Sequence, residues 1–566
     1  MYPLTCTTWN IAAINDNPFE YYMDSPDPAY AAMLAAVERH LDKPGTRECT
    51  LGECVPKGFI QALDARMRAR AWPGTAAIRN LWETRLRHQR IVTDFLKDAE
   101  LGRKRLISMP GRMTNTVDTS AGPVYRPSVI SPYAGRALAS KAAWGRAWLR
   151  FVFDADPRTG APPHCTRLRR IPRAKYPALT AEEEAISLPL QTLYLALFDC
   201  VMVHLLDVCA PTTWRPLRRR IVRACIQQKA KRTLALLRTR HSAQDVVCLQ
   251  EVAASFVALL RADARLSKQY ACIAPAALDA KRDQNSVVLL GRRRFDPATV
   301  TECTEDVLKQ LTTSDRAKVQ AGDLVAVTVA ERGTERRYLI ASFHGDTNGL
   351  ATIPVVRALC AARTRHSPKV RALVFGLDAN SYDCTETPST RGKYLRAPDL
   401  HRTYTALGLT SCWGARPKWS ACYTTGTART CLQPQLNKAV RRRDLHKTGT
   451  AGSAFQPKDF ILVSADAYTA QPATTTKDNT GEGAYHEGGL FPTVTFPSDH
   501  AILTSTFHPN TAPTPAAGTR RASTSTRRAR TRRARGGCCS TSSSSRTASG
   551  TWTRRGTGRS GGSYPS

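Results

Sequence analysis

The chain has 566 residues, 42% of them hydrophobic, with 82 Lys and Arg against 46 Asp and Glu and a formal charge of +36. That hydrophobic share excludes a wholly disordered chain, and the length suffices to bury a core without disulfide or metal staples. The charge excludes a strongly cationic substrate and favours anionic partners: nucleic acid, phosphorylated small molecules or an anionic membrane surface.

Thr5–Ile14 reads as a strand ending at the polar cluster Asn15-Asp16-Asn17-Pro18. The N-terminal residues lack a basic n-region and an apolar h-region, so no secretory leader is expected. The 17 Cys are accordingly read as reduced thiols of an intracellular protein, cytoplasmic or nuclear. Cys49 and Cys54 lack a second ligand pair at zinc spacing and are read as ordinary thiols. Residues 31–215 hold 28 basic and 17 acidic residues, a surplus of +11, and carry helical periodicity. Ile78, Leu81, Trp82, Leu86, Ile91, Phe95 and Leu96 predict one helix over Ala76–Leu101, and a second is predicted over Ala181–Val208. The run Ala185–Phe198 is uncharged for only 14 residues before Asp199, His204 and Asp207. A spanning helix needs roughly 20 apolar residues, so a buried helix is expected and no transmembrane segment. Pro and Gly break up Met109–Arg136, and a basic amphipathic helix is predicted from Pro216 to about Arg240, with Leu217, Ile221, Cys225, Leu234 and Leu237 on one face.

Beyond this point short apolar runs predict strands: Asp245–Leu249, Ser286–Leu290, Leu324–Val329, Tyr338–Phe343, Ala372–Leu377, Asp459–Ser464 and Ala501–Ser505. Strand and helix signals mixed in this way predict a layered α/β domain. Four segments result: 1–30, the first strand of that domain; 31–215, a helical insertion; 216–510, the remainder; and 511–566, a tail with 12 Arg and no acid that is expected to be disordered. The arginine run Arg527–Arg535 reads equally as a nuclear-import or nucleic-acid-binding patch and as a solvated basic tail.

Strand ends repeatedly carry oxygen ligands or hydrogen-bonding groups. Asn10 lies in Trp9-Asn10-Ile11, Glu251 follows Val246–Gln250, and His344 ends Ile340–Phe343. Asp378 and Asn380 follow Val374–Leu377, Asp459 opens Phe460–Val463, and Asp499-His500 precede Ala501–Leu503. Each alone has an ordinary reading as a turn or cap; six such sites in one fixed order do not.

The pieces TTWNI (Thr7–Ile11), DVVCLQEV (Asp245–Val252), ASFHG (Ala341–Gly345), FGLDAN (Phe375–Asn380), KDFILV (Lys458–Val463) and FPSDHAIL (Phe496–Leu503) resemble the endonuclease/exonuclease/phosphatase superfamily over roughly 1–30 and 216–508. The resemblance implies a four-layer αββα sandwich of the deoxyribonuclease I-like type, here with a large helical insertion and a basic tail. It implies a hydrolase of phosphate esters that uses Mg²⁺ or Mn²⁺. By that analogy Glu251 is the principal metal ligand, Asn10 orients it or binds metal or phosphate beside it, and Asp499 assists metal binding or holds its loop. Asp378 takes the proton of the attacking water, and Asn380 positions water or phosphoryl oxygens. His500 contacts the phosphate, oriented by Asp459, and His344 supplies a second phosphate contact or proton-transfer group. Asn285 is a candidate substrate contact, although a turn is the commoner role, and Arg292-Arg293-Arg294 is a weaker one.

A competing Gly-Asp-x-Asn occurs at Gly345-Asp346-Thr347-Asn348, but Asp378 and Asn380 follow a strand of their own and keep the family order. The substrate is expected to be a phosphoester, with nucleic acid marginally preferred because of the basic charge. The alternatives are an inositol-phosphate or phospholipid-headgroup phosphatase or phosphodiesterase, and a non-catalytic nucleic-acid-binding module on the same fold. The insertion reads as a substrate-selecting cap or a structural elaboration, and no signal fixes the oligomeric state.

Overall fold

The computed structural model describes residues 2–12, 21–22, 27–106, 116–117, 124–157, 159–276, 278–279, 283–366, 370–385, 387, 391–426, 428–429 and 455–510. The expected disordered tail with its arginine run, and the polar cluster Asn15–Pro18, lie outside these residues.

The β-branched and aromatic runs become strands β1 (Leu4–Asn10), β2 (Val246–Val252), β3 (Tyr270–Ile273), β4 (Asn285–Gly291), β5 (Phe295–Glu302), β6 (Leu324–Glu331), β7 (Arg337–His344), β8 (Val370–Asp378), β9 (Leu409–Ser411), β10 (Asp459–Ser464), β11 (Tyr468–Ala470), β12 (Thr476–Asp478) and β13 (Ile502–Pro509). One sheet has the order β11-β13-β1-β2-β4-β3, with β12 also beside β13. The other has the order β9-β10-β8-β7-β6-β5. Each sheet contains one parallel pair, β1 with β2 and β7 with β8. Antiparallel strands flank those pairs, β13 beside β1 and β10 beside β8.

This pairing decides where chemistry can gather. The two strands of a parallel pair end at the same edge, and an antiparallel neighbour begins there. Asn10 therefore stands level with Gln250, His344 with Asp378, and Asp378 with Asp459.

Alternation along the strands builds the layers. In β2, Val246 and Cys248 join the core between the sheets, while Val247 and Leu249 face Leu237, Phe256, Val257 and Leu260 of the outer helices. Helices Thr352–Arg365 and Ala397–Ala406 pack on the second sheet, so the described residues form an α/β fold layered helix, sheet, sheet, helix. The sheets approach closely at Gly376 of β8, where a Cβ would sit 2.5 Å from Cys248 Cβ. Beside it Gln250 Nε2 donates to Thr8 Oγ1 (3.1 Å) and to Ser342 Oγ (3.0 Å), tying one sheet to the other.

Between β1 and β2 the chain forms a helical body with principal helices α1 (Pro28–Asp42), α2 (Phe59–Ala69), α3 (Thr75–Thr84), α4 (Lys141–Phe153) and α5 (Ser187–Cys209). Its core gathers Phe59, Trp144, Trp148, Phe198 and Trp214. Helix α5 is long and apolar enough to cross a membrane by composition, yet most of it is buried in this body. Asp199 lies inside it, fully buried, accepting from Ser128 Oγ (2.7 Å) and Trp148 Nε1 (2.9 Å) and paired with Arg126 at 3.1 Å.

The single helix predicted over Ala76–Leu101 is broken. Helix α3 stops at Thr84, and a 3-10 turn, a π-turn and a short helix follow. Tertiary partners win over periodicity here: Ile91 N donates to Cys49 O (3.0 Å), and Val92 N and Thr93 N donate to Glu48 Oε1 (2.8 and 2.6 Å). The basic helix starts slightly earlier than predicted, as α6 (Trp214–Val222), and continues through a π-turn into α7 (Lys229–Thr239).

Arg294, read as a possible phosphate contact, is a structural clamp. Its guanidinium donates to Pro3 O (2.7 Å), Asp245 Oδ2 (3.1 Å) and Tyr468 OH (3.0 Å) and pairs with Glu331 at 3.3 Å. These groups lie at the starts of β1 and β2 and the end of β6, the edge opposite Asn10 and Asp378.

Candidate active site

Six strand ends, three from each sheet, meet at one edge. Asn10 Nδ2 donates to Glu251 Oε1 (3.0 Å) and to Asp378 Oδ2 (3.0 Å), bridging carboxylates from the two sheets. Its Oδ1 accepts from Ala12 N (2.8 Å). Those partners fix the amide: a backbone N–H can only donate, so Nδ2 must be the group facing the carboxylates. Asn10 thus stands between the acids as a donor, placed to orient Glu251. His344 Nε2 lies 3.4 Å from Glu251 Oε1 and 3.7 Å from Asp378 Oδ2. On the other side His500 Nε2 lies 3.6 Å from Asp378 Oδ2, while its Nδ1 hydrogen-bonds Asp459 Oδ2 at 2.8 Å.

Local backbone choices aim these groups. The pairing of β2 with β4 skips from Leu249 to Val252, a bulge that turns Glu251 out at φ +55°. Asn285 supports this bulge: its Nδ2 donates to Val252 O (3.0 Å) and its Oδ1 accepts from Asp279 N (2.8 Å). The Asn285 amide is thereby spent on backbone, which corrects its reading as a substrate contact. Asn380 also sits at positive φ (+49°), held by its N–H to Asp378 Oδ1 (2.8 Å). Two non-glycine residues in left-handed conformation beside one carboxylate cluster mark strain concentrated at a site. Asp346 of the competing motif serves its loop, Oδ1 accepting from Ala351 N (2.7 Å).

The Pro-Ser-Asp-His segment is stitched to β1. Ser498 Oγ donates to Asn10 O (2.6 Å) and accepts from His500 N (3.0 Å), and Trp9 Nε1 donates to His500 O (3.0 Å). Lys229 of α7 donates to Ala12 O and places its charge near Asp499 and Glu251. Burial pushes the Asp499 carboxyl up, as does Glu251, against His500 and Lys229.

One residue of the site escaped the sequence reading. Lys458 Nζ donates to Asn380 Oδ1 (2.6 Å) and lies 4.3 Å over the Tyr382 ring. Asn380 Nδ2 donates to Gly345 O (2.8 Å). An ammonium only donates and a carbonyl only accepts, so this amide is fixed too, with one partner at each end. Lys458 immediately precedes Asp459 in KDFILV, and its cationic side chain at a strand entrance was the available signal.

The electrostatics follow from burial. Burial alone would raise Asp378, but the charges of His500, His344 and Lys458 and the Asn10 hydrogen bond outweigh it and hold the carboxyl low. Burial works against a charged His500, yet Asp459 and Asp378 overcome it and push the imidazole up to about 10. Burial raises Asp459, opposed by His500. A buried carboxylate flanked by two imidazoles can accept and relay a proton. Glu251 and His344 side chains keep 21% and 16% exposure against 1% for Asp378, so the pocket opens on their side.

Among the described residues, the ligand atoms of Asp378, Asp459 and His500 lie within 4.8 Å of one another, a candidate metal-holding group. With Glu251 across the Asn10 amide from Asp378, the set is rich in carboxylate oxygens, the donors that hard divalent cations take.

A family model described as a domain of unknown function (DUF8234) matches residues 48–219. No curated protein matches the chain. Solved structures similar to it include ANGEL2, a 2',3'-cyclic phosphatase (14% identity, TM-score 0.32, covering 50% of this chain and 85% of that one). They also include TDP2 from C. elegans (13%, 0.30, 50% and 70%) and the human Nocturnin catalytic domain (15%, 0.30, 50% and 87%).

Proposed function

We propose that this chain is a metal-dependent phosphoesterase that hydrolyses a phosphodiester or phosphomonoester by in-line attack of water, with nucleic acid marginally preferred as its substrate. The observation that carries this reading is the meeting of Asn10, Glu251, His344, Asp378, Asp459 and His500 at one sheet edge, drawn from both sheets. The overall charge of +36 favours a polyanionic substrate.

Glu251 and Asp378 would hold Mg²⁺ or Mn²⁺, with Asp499 nearby. A divalent ion there supplies Lewis-acid stabilisation of charge on the phosphoryl oxygens. Asp378, kept ionised, accepts the proton of the attacking water. His500, held protonated by Asp459, donates a hydrogen bond to the phosphate. His344 faces the same carboxylates from the open side and serves proton transfer or a second phosphate contact. Asn380, with one partner at each end of its amide, positions the water or a phosphoryl oxygen through its remaining N–H, and Lys458 beside it offers a cationic N–H to the phosphate.

A panel of DNA, RNA, inositol phosphate and phospholipid-headgroup esters, assayed with Mg²⁺, Mn²⁺ or EDTA, tests the reading. Cation-dependent cleavage of nucleic acid, abolished by EDTA, is expected. Tight nucleic-acid binding without hydrolysis of any ester would leave only a binding module. Lys458→Met is expected to raise KM by about 10- to 100-fold, the worth of one charge-assisted hydrogen bond, and Lys458→Arg to recover part of it in steady-state kinetics.

A further inference from the structure

Between Trp214 and Arg240, through α6, the π-turn and α7, the chain carries ten Lys and Arg and no acid. The structure sorts these cations by what they hold. Arg218 is buried and donates to Val129 O (2.8 Å), Tyr133 O (2.6 Å) and Ser128 O (2.9 Å), which fastens α6 to the helical body. Arg215, Arg220 and Arg238 pair with Asp207, Asp27 and Asp263. Arg232 donates to Val494 O, and Lys229 donates to Ala12 O, just past Asn10 of the strand-end site. Arg219, Arg223 and Lys231 are exposed and form no ion pair among the described residues.

These three side chains share one face. Arg219 and Arg223 stand one helical turn apart. In an unbroken α-helix Lys231 would lie about a third of a turn away from Arg219; the extra residue taken up by the π-turn Arg223–Gln227 brings it back to within about 20°. At ~1.5 Å per residue the row is about 18 Å long, and its Lys231 end adjoins the turn from which Lys229 reaches the strand-end site. We infer that this row is a rail for the phosphate backbone of a nucleic-acid strand, leading the strand to that site. A stacked strand carries a phosphate every ~3.4 Å, so the row spans about five of them. Cations spaced along a fastened helix, without acids opposite them, match a linear polyanion; a compact headgroup would meet one of them. The other side of the helix argues against a membrane surface. A helix lying in lipid inserts its apolar face, whereas Leu217 and Ile221 are buried in the core of the helical body and Leu237 in the layer outside β2. The rail rests on the phosphoesterase reading for the fate of the strand, not for its binding.

Binding of a fluorescein-labelled oligothymidylate to the full chain, read by anisotropy in EDTA across a salt titration, tests this without hydrolysis. The triple variant Arg219→Gln/Arg223→Gln/Lys231→Gln is expected to reduce the slope of log K against log salt by about 2, the counterions of three single-strand phosphates, and to weaken binding by about 10- to 100-fold at about 0.15 M salt. A control triple, Arg293→Gln/Arg332→Gln/Arg365→Gln, removes the same charge from exposed positions at the strand edge opposite Asn10 and is expected to stay near the wild-type slope and affinity. All six side chains are exposed, so both triples should keep the wild-type circular dichroism. Equal losses in the two triples, or unchanged binding in the first, would overturn the rail. So would phosphatidylserine-vesicle binding that the first triple abolishes while oligothymidylate binding stays. Mg²⁺-dependent turnover of bis(4-nitrophenyl) phosphate, too small to reach along the row, is expected to be equal in the wild type and the first triple. Its absence from the wild type would count against the phosphoesterase reading and leave the rail standing; intact turnover with unchanged oligothymidylate binding in the first triple would do the reverse.

Discussion

Asp378→Asn is expected to lower kcat by about 10³-fold, the scale at which a positioned general base acts, and to leave the chain folded. Asparagine keeps the shape and the acceptor atom towards Asn10 Nδ2 but removes the charge that two imidazoles and Lys458 face. The substitution also removes a carboxylate from the candidate cation site, so its affinity for Mg²⁺ should fall with it. Steady-state kinetics across a Mg²⁺ titration, alongside thermal unfolding, checks both. Asp346→Asn is the control. Its carboxylate accepts from the Ala351 N–H of its own loop, and kcat should be unchanged. Loss of activity in the Asp346 variant with an active Asp378 variant would move the Asp-x-Asn role to the other motif.

Asp199→Ala is expected to cost about 3–5 kcal/mol of stability, the range for removing one partner of a buried ion pair. Arg126, 3% exposed, would keep its charge with no carboxylate opposite it, and the Ser128 and Trp148 donors would lose their acceptor. Chemical denaturation read by tryptophan fluorescence measures this, because Trp144 and Trp148 lie in the same core. A change below 1 kcal/mol would show that the pair is not what anchors α5.

The sequence revealed the strand ends because each group sits inside a contiguous motif that names its own strand. Asn10, Glu251, Asp378 and His500 could be located without knowing their partners. What it concealed was settled by distant contacts. Asn285 stood at a strand entrance, but its amide is absorbed by Val252 and Asp279. Arg294 sat in a basic run, but Asp245, Tyr468 and Glu331 enclose it. The long periodic stretch from Ala76 lost its helix to Cys49 and Glu48, more than 40 positions upstream. Periodicity measures what one segment could bury; it does not record which remote backbone will claim that segment's N–H groups.

The position of β1 has a consequence for how the molecule is made. Among the strands of the described residues it is synthesised first, and it pairs on one side with β2, which begins at Val246, and on the other with β13, which begins at Ile502. The whole helical body must therefore emerge before β1 gains its first neighbour, and nearly all of the described chain before it gains its second. Loop-closure entropy rises only slowly with length, so the final pairing is thermodynamically cheap. It is nevertheless late, because pairing between such remote segments slows folding. Until then a run containing Trp9 waits without its sheet, exposed to off-pathway association. Asn10, the amide that joins the two carboxylates, arrives with that strand. A ribosome-bound or C-terminally truncated chain lacking β13 should thus carry a folded helical body and an incomplete strand-end site.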